Sequence, residues 1–293
     1  MKKFFVAIFC IVFSVYSYGH QRAAKHANIT VASFNILFEY ANRIPADDKQ
    51  KWVNRKDNLI KIIADNGFDI LGVQEALNFQ ISYILEKIPD YGFIGSGRSD
   101  GTQNGTQEHN AIFYRKDLFD VLDKGDFWYS DTPDIPSRSW DSPCCPRICS
   151  WGKFLCKKSG KIFYVFNSHF DHQGKAARTN SAKLLLSKIR EIAGEKAVVF
   201  CTGDYNSLPT SDAVKIIVDD GMLLDSKEVS KKTPAGPPGT FYGFNTKDIP
   251  ENRIDFIFIT RNIKVISYTV IDQDLKTGDY ASDHLPVMIN VGL

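Results

Sequence analysis

Several things are scarce in this 293-residue chain, and each scarcity narrows its possible functions. Net charge is almost absent, with 36 Lys and Arg against 34 Asp and Glu. Long nucleic acid is held mainly by neutralising phosphates with Lys and Arg, so this balance gives no support for tracking along a long polyanion. Apolar runs long enough to span a bilayer are also missing. The one extended run, residues 4–18, falls short of the roughly 20 residues a spanning helix needs. There are no internal repeats and no low-complexity tract, which excludes solenoids and disordered linkers. No serine-hydrolase elbow and no P-loop occur. Gly95-Ser96-Gly97-Arg98 is only a weak glycine-rich match.

Cysteine is sparse too, with six residues. Cys144, Cys145, Cys149 and Cys156 lie close enough in sequence to form one or two bridges in an oxidising compartment, and their pairing cannot be read from sequence. Their spacing does not match usual zinc-ligand patterns.

The chain opens with Lys2 and Lys3, then the apolar run, then small residues at Ser17 and Gly19. That order describes a secretory signal peptide over residues 1–19, and a secreted or periplasmic protein with no stable membrane insertion after cleavage. Loss of Lys2 and Lys3 leaves 34 basic against 34 acidic residues, a mature charge of zero. Residues 28–293 are one domain or two by length alone, large enough to bury a core without disulfides, and are expected to act as one monomeric catalytic domain.

Strand-like runs alternate with helical patterns throughout. Strands are expected near 29–37, 68–73, 111–114, 154–155, 162–167, 198–202, 254–259, 265–270 and 287–291. Helices are expected at 52–66 (stopping at Gly67), 79–88, 176–193 and 211–220. Such mixing indicates a layered α/β domain. Residues 131–147 and 231–239 read as surface loops.

Chemistry-bearing residues gather where apolar strands end. Phe34-Asn35, Val73-Gln74-Glu75, Asn167-Ser168-His169-Phe170-Asp171-His172 and Gly203-Asp204-Tyr205-Asn206 follow this rule, and Ser282-Asp283-His284 sits just before the last strand. Strand ends are where an α/β fold presents a site, because the sheet holds it rigid and the loop exposes it. Carboxylate and amide oxygens suit a hard cation, and histidines can donate to phosphate or move protons. Any one segment alone would more often be structural; their joint order is what is specific. The aromatic segment Phe127-Trp128-Tyr129 through Trp140, with Arg138 and Arg147, offers either a stacking surface for a base or sugar or plain hydrophobic cover.

These motifs resemble the endonuclease/exonuclease/phosphatase superfamily. The match extends from Phe34-Asn35 to Ser282-Asp283-His284-x-Pro286-Val287 and looks nearest to the deadenylase-nocturnin branch and its secreted bacterial relatives. The resemblance implies a four-layer sandwich of two mixed β-sheets packed face to face and flanked by helices. It implies metal ligation by Glu75, Asn35 and Asp283, with Mg²⁺, Mn²⁺ or Ca²⁺ as the cation. It gives Asp204 the attacking water, Asn206 that water or the phosphate, His169 and His284 the phosphate, and Asp255 the orientation of His284. Glu108 would support the first histidine. Asn110 would face the phosphate. Asp171 and Arg178 are further candidates for substrate contact. Pancreatic deoxyribonuclease carries an arginine where this chain has Leu77, which argues against duplex cutting. The implied reaction is in-line attack of water on a phosphoester. The substrate is expected to be single-stranded nucleic-acid ends or a small phosphoester. The alternative is a phosphomonoesterase of a nucleotide, sugar phosphate or lipid head group. A non-catalytic secreted binding protein would be marked by loss of a key residue, and none is lost.

Overall fold

The computed structural model describes residues 27–39, 48, 50–105, 107–245, 247–273 and 280–293. The expected signal peptide lies outside them. Among the described residues no helix is long and apolar enough to cross a membrane.

Two six-stranded sheets form from these residues. The first contains β1 (Asn28–Asn35), β2 (Ile70–Gln74), β3 (Tyr91–Ile94), β4 (Ile112–Arg115), β11 (Lys264–Val270) and β12 (Val287–Gly292), in the order β11-β12-β1-β2-β4-β3. The second contains β5 (Phe119–Trp128), β6 (Ile148–Cys156), β7 (Ile162–His169), β8 (Val199–Asp204), β9 (Leu223–Asp225) and β10 (Asp255–Thr260), in the order β5-β6-β7-β8-β10-β9. Both are mixed. The β1–β2 and β7–β8 pairs run parallel, and the other pairings are antiparallel.

Side chains alternate across each strand, and the alternation builds the layers. Val31 and Ile70 from the first sheet meet Val165, Phe200 and Ile257 from the second in a central core. Their neighbours Ala32, Phe34, Leu71 and Val73 point the other way. They pack on Leu59 and Ile63 of α1 (Trp52–Asn66) and Ile81 and Ile84 of α2 (Asn78–Lys87). Phe166, Cys201 and Phe258 face outward from the second sheet. They meet Leu185 and Ile189 of α3 (Lys175–Ile192) and Val214 and Ile217 of α4 (Asp212–Asp219). The result is the expected four-layer sandwich. Helix α1 ends as anticipated at Gly67, whose left-handed backbone lets its N–H close on Ile63 O at 3.1 Å.

Below the site the sheets come close enough to share polar groups. A Cβ on Gly72 would lie 2.2 Å from Thr202 Oγ1, so only glycine fits there. Beside it Asn167 crosses from β7 to the other sheet. Its Nδ2 donates to Val73 O at 2.8 Å and Ala111 O at 3.0 Å. Its Oδ1 accepts from Gln74 Nε2 at 2.7 Å and Thr202 Oγ1 at 3.0 Å. All four partners are buried, so each lost bond would strand a desolvated group. Asn167→Ala is expected to lower unfolding free energy by about 2–4 kcal/mol. Denaturant unfolding measures it, and a loss below about 0.5 kcal/mol would show that the bridge is dispensable.

Candidate active site

The ends of β1, β2, β7, β8 and β10 and the turn before β12 converge at one end of the sandwich. Asp204 sits at the centre. Its Oδ2 accepts from Asn35 Nδ2 at 3.1 Å and lies 3.4 Å from His169 Nε2 and 3.8 Å from His284 Nε2. Oδ1 accepts from the Asn206 backbone N–H at 2.9 Å. The antiparallel register of β8 and β10 sets Asp255 directly opposite Asp204. Asp255 Oδ2 then takes His284 Nδ1 at 2.9 Å, which fixes the ring with Nε2 toward Asp204.

Burial sets the charge states here. Asp204 is fully enclosed, and with Asp255 beside it its carboxyl is pushed well above the ordinary carboxylate range. His169, also buried and facing Arg147 and Arg98, is held neutral. Burial opposes charge on His284 as well, but Asp255, by proximity and hydrogen bond, overrides it with help from Asp204 and Asp283. The surrounding carboxylates therefore favour the protonated form of His284.

Two backbone positions are strained. Glu75 has φ +64° and Asn206 φ +46°, left-handed conformations that non-glycine residues rarely adopt. The turn at Glu75 brings its Oε1 to Asn35 Nδ2 at 3.0 Å and its Oε2 to Phe38 N at 3.2 Å. Asn206 Nδ2 donates to Phe170 O at 3.1 Å, which ties the Asp204 turn to the segment after His169.

A cation fits this donor set. Asp204, Asp255 and His284 hold potential ligand atoms within 4.8 Å of one another. Since Asp255 is committed to His284, the carboxylates that face the pocket are Glu75, Asp204 and Asp283. Burial raises the Asp283 carboxyl, and Glu75 adds to the rise while His284 opposes it. Carboxylates gathered against their mutual repulsion are the environment a hard divalent ion relieves.

The pocket over this centre measures about 600 Å³. Glu75, His169, Asp204, Asn206, Asp283 and His284 all line it, as the sequence anticipates. The other expected site residues make the following contacts. Asn35 turns its oxygen to Leu37 N at 3.1 Å and its nitrogen to two carboxylates, so it bridges Glu75 and Asp204 as a donor. Glu108 lines the pocket but gives both oxygens to Arg98, each at 2.6 Å, while His169 pairs with Asp204. Asn110 donates to Ile148 O, a backbone tie behind the pocket. Asp171 accepts from Gln173 N at 2.8 Å, Gly174 N at 2.6 Å and Ser142 Oγ at 2.8 Å, so it shapes the turn into α3. Arg178 donates to Asp171 O at 3.1 Å and lines a separate surface depression. Phe127, Trp128 and Tyr129 are core residues and act as hydrophobic cover, whereas Trp140 is half-buried and Arg147 lines the pocket. The cysteines resolve into a bond between adjacent Cys144 and Cys145 at the pocket wall, with Cys149, Cys156 and Cys201 buried as thiols.

Sequence reasoning missed Phe38 and Phe241, which supply the apolar lining, and Arg55 beneath the site. Arg55 is fully buried. Its guanidinium donates to Ile36 O and Leu37 O just past Asn35, to Ala281 O at 2.8 Å just before Asp283, and to Gln50 O at 2.8 Å. Nothing in the helical pattern of residues 52–66 distinguishes this cation from a solvated one.

Residues 32–284 match the endonuclease/exonuclease/phosphatase family. The chain belongs to that family and is a phosphoester hydrolase. A family member of known structure from Bacteroides thetaiotaomicron is 37% identical, covers 92% of this chain and 99% of its own, and superimposes with a TM-score of 0.83. A mannosyl-6-phosphatase from the same organism is 39% identical, over 90% of this chain and 99% of its own, with a TM-score of 0.82. The human nocturnin catalytic domain is 19% identical, over 91% of this chain and 96% of its own, with a TM-score of 0.68, a likeness of fold.

The Asp255–His284 pair makes a pH prediction. A histidine ionises near pH 6.5 when unperturbed. Its folded value here is raised, so the pair's stabilisation is full below about pH 6.5 and is lost as pH climbs through the folded value. In protein stripped of divalent cations, ¹⁵N NMR is expected to show His284 still charged at about pH 7.5, and Asp255→Asn to lower its titration. A neutral wild-type ring at that pH would refute the pairing.

Proposed function

We propose that the protein is a divalent-cation-dependent phosphomonoesterase whose substrate is a sugar phosphate. The observation that carries this reading is the pocket. At about 600 Å³ it is in the range for small ligands, and the whole constellation opens into it. Its lining is charged and hydrogen-bonding, with Phe38 and Phe241 as the apolar surfaces a pyranose ring could lie against. Phe127, Trp128 and Tyr129 are buried in the core and offer no stacking surface for bases. A mannosyl-6-phosphatase among the more similar structures supports the same class.

Glu75 and Asp283 would hold the cation, Mg²⁺ or Mn²⁺ by the oxygen chemistry of the donors. When bound it polarises the phosphoryl group and offsets its negative charge. Asp204, steadied by Asn35 and the Asn206 N–H, orients the attacking water and takes its proton. Neutral His169 and charged His284 flank Asp204 and donate to phosphoryl oxygens. Their ring positions are fixed before substrate arrives, as electrostatic catalysis requires.

Phosphate release from hexose 6-phosphates, and diester cleavage of dinucleotides, oligonucleotides and sphingomyelin, each with Mg²⁺ and with EDTA, test the proposal. Hexose 6-phosphates are expected to react fastest, and EDTA to abolish the reaction. Glu75→Ala and His284→Ala should each lower kcat/KM about 100-fold or more. Salt-sensitive cleavage of oligonucleotides without release of phosphate from any hexose phosphate would sink the substrate reading.

A further inference from the structure

Arg147 immediately precedes β6 and lines the pocket, yet its side chain is only 6% exposed. Its Nη2 donates to His172 Nδ1 at 2.8 Å, and its Nε lies 3.7 Å from Asp171 Oδ2. Neither Nε nor Nη1 has a hydrogen-bond partner among the described residues. Buried donors left without acceptors are costly, so a guanidinium in this state at a pocket wall points to an acceptor that arrives with the ligand.

Strand register says where that acceptor would be. Cys149 of β6 pairs with Ser168 of β7, and His169 of β7 pairs with Asp204 of β8. The strand ends therefore run in a row as Arg147, His169 and Asp204, with adjacent strands about 4.8 Å apart. Asp204 and Arg147 stand on opposite flanks of His169. In-line displacement places the attacking water and the leaving oxygen on opposite sides of phosphorus. With the water at Asp204, the leaving oxygen departs on the Arg147 flank.

We infer that Arg147 is a catalytic residue that donates through Nη1 to the departing ester oxygen of the substrate. The water oxygen bonds to phosphorus and gives its proton to Asp204. The electron pair of the broken P–O bond passes to the sugar oxygen, which Arg147 stabilises as an alkoxide until it takes a proton from solvent. Arg147 keeps its own proton throughout, as a guanidinium does. Asp171 and His172 then act as positioning residues, since they fix the guanidinium from behind. This inference rests on the proposed monoesterase reading and on the water lying at Asp204.

Leaving-group dependence tests it. Arg147→Met and Arg147→Lys are assayed in saturating Mg²⁺ on three monoesters with the same phosphoryl group: p-nitrophenyl phosphate, glycerol phosphate and a hexose 6-phosphate. An alkoxide needs far more stabilisation than p-nitrophenolate. The alkyl esters should therefore lose at least about tenfold more kcat than the aryl ester in Arg147→Met, with Arg147→Lys between it and wild type. Equal losses on aryl and alkyl esters would mean that the guanidinium touches phosphoryl oxygens, and no loss on either would remove it from the reaction; both overturn the inference. If Arg147→Met does not fold, as a thermal melt would show, Arg147→Lys carries the same comparison. Wild-type enzyme that cleaves glycerol phosphate but no hexose phosphate would defeat the sugar reading alone, because the aryl-to-glycerol comparison still judges Arg147.

Discussion

The buried amide of Asn167 is the constraint on which the site depends. Two twisted sheets packed through an apolar core have freedom to slide, because hydrophobic contact is not directional. Asn167 removes that freedom at the end where chemistry occurs. It joins β7 to the carbonyls of Val73 and Ala111, and it takes Gln74 and Thr202 on its other edge. Val73 and Gln74 lead into Glu75, Thr202 leads into Asp204, and Asn167 itself leads into His169. One side chain thus fixes the relative height of three catalytic strand ends drawn from both sheets. Gly72 allows the approach, since any larger residue would hold the sheets apart at this level.

Arg55 does comparable work on the loops. The segment after β1 and the segment before β12 are not held by sheet pairing where they carry Asn35 and Asp283. Their carbonyls at Ile36, Leu37 and Ala281 turn inward, where water cannot satisfy them, and the guanidinium of Arg55 gathers them. Burial pulls the guanidinium down to about 10, while Asp283, Glu39 and Glu75 pull the other way. It remains charged at neutral pH and offsets part of the repulsion among the acids above it. The cation that holds the loops together also helps the carboxylates to coexist.

What the sequence disclosed and what it hid follow from the range of the interactions. Buried strands are legible because alternation is local. The reading of 29–37 found β1, and 254–259 found β10. Edge strand β5 was not legible, because Asp120, Asp123, Lys124 and Asp126 face solvent or polar partners and break the apolar signal. Only the end of β6 was read, since Ser150, Gly152 and Lys153 interrupt it. In the site, the order of strand-end motifs named Glu75, His169, Asp204, Asn206, Asp283 and His284 among the residues that line the pocket. Pairings between distant segments were beyond it. Glu108 with Arg98 in place of His169 is set by a loop that folds back on itself. The inward turn of Asn110 is set by the neighbouring Ile148 carbonyl.

Charge in the pocket is distributed so that one wall differs from the other. Glu75 and Asp204 follow β2 and β8 and Asp283 precedes β12, while Arg147 precedes β6 and Arg98, paired with Glu108, follows β3. A phosphate monoester is itself polarised in the same sense during reaction. Its phosphoryl group needs a cation and hydrogen-bond donors at the acidic side, and its leaving oxygen gains negative charge on the far side. A site with arginines on both walls would hold the dianion tightly in the ground state and gain little at the transition state. In the proposed monoesterase reaction, the fixed positive charge one strand beyond His169 is reserved for the charge that develops late. The neutral state of His169, enforced by burial and by those same arginines, is consistent with this division. The strand order Arg147, His169, Asp204 is thus also an order of electrostatic tasks, and it follows from the register of three adjacent strands.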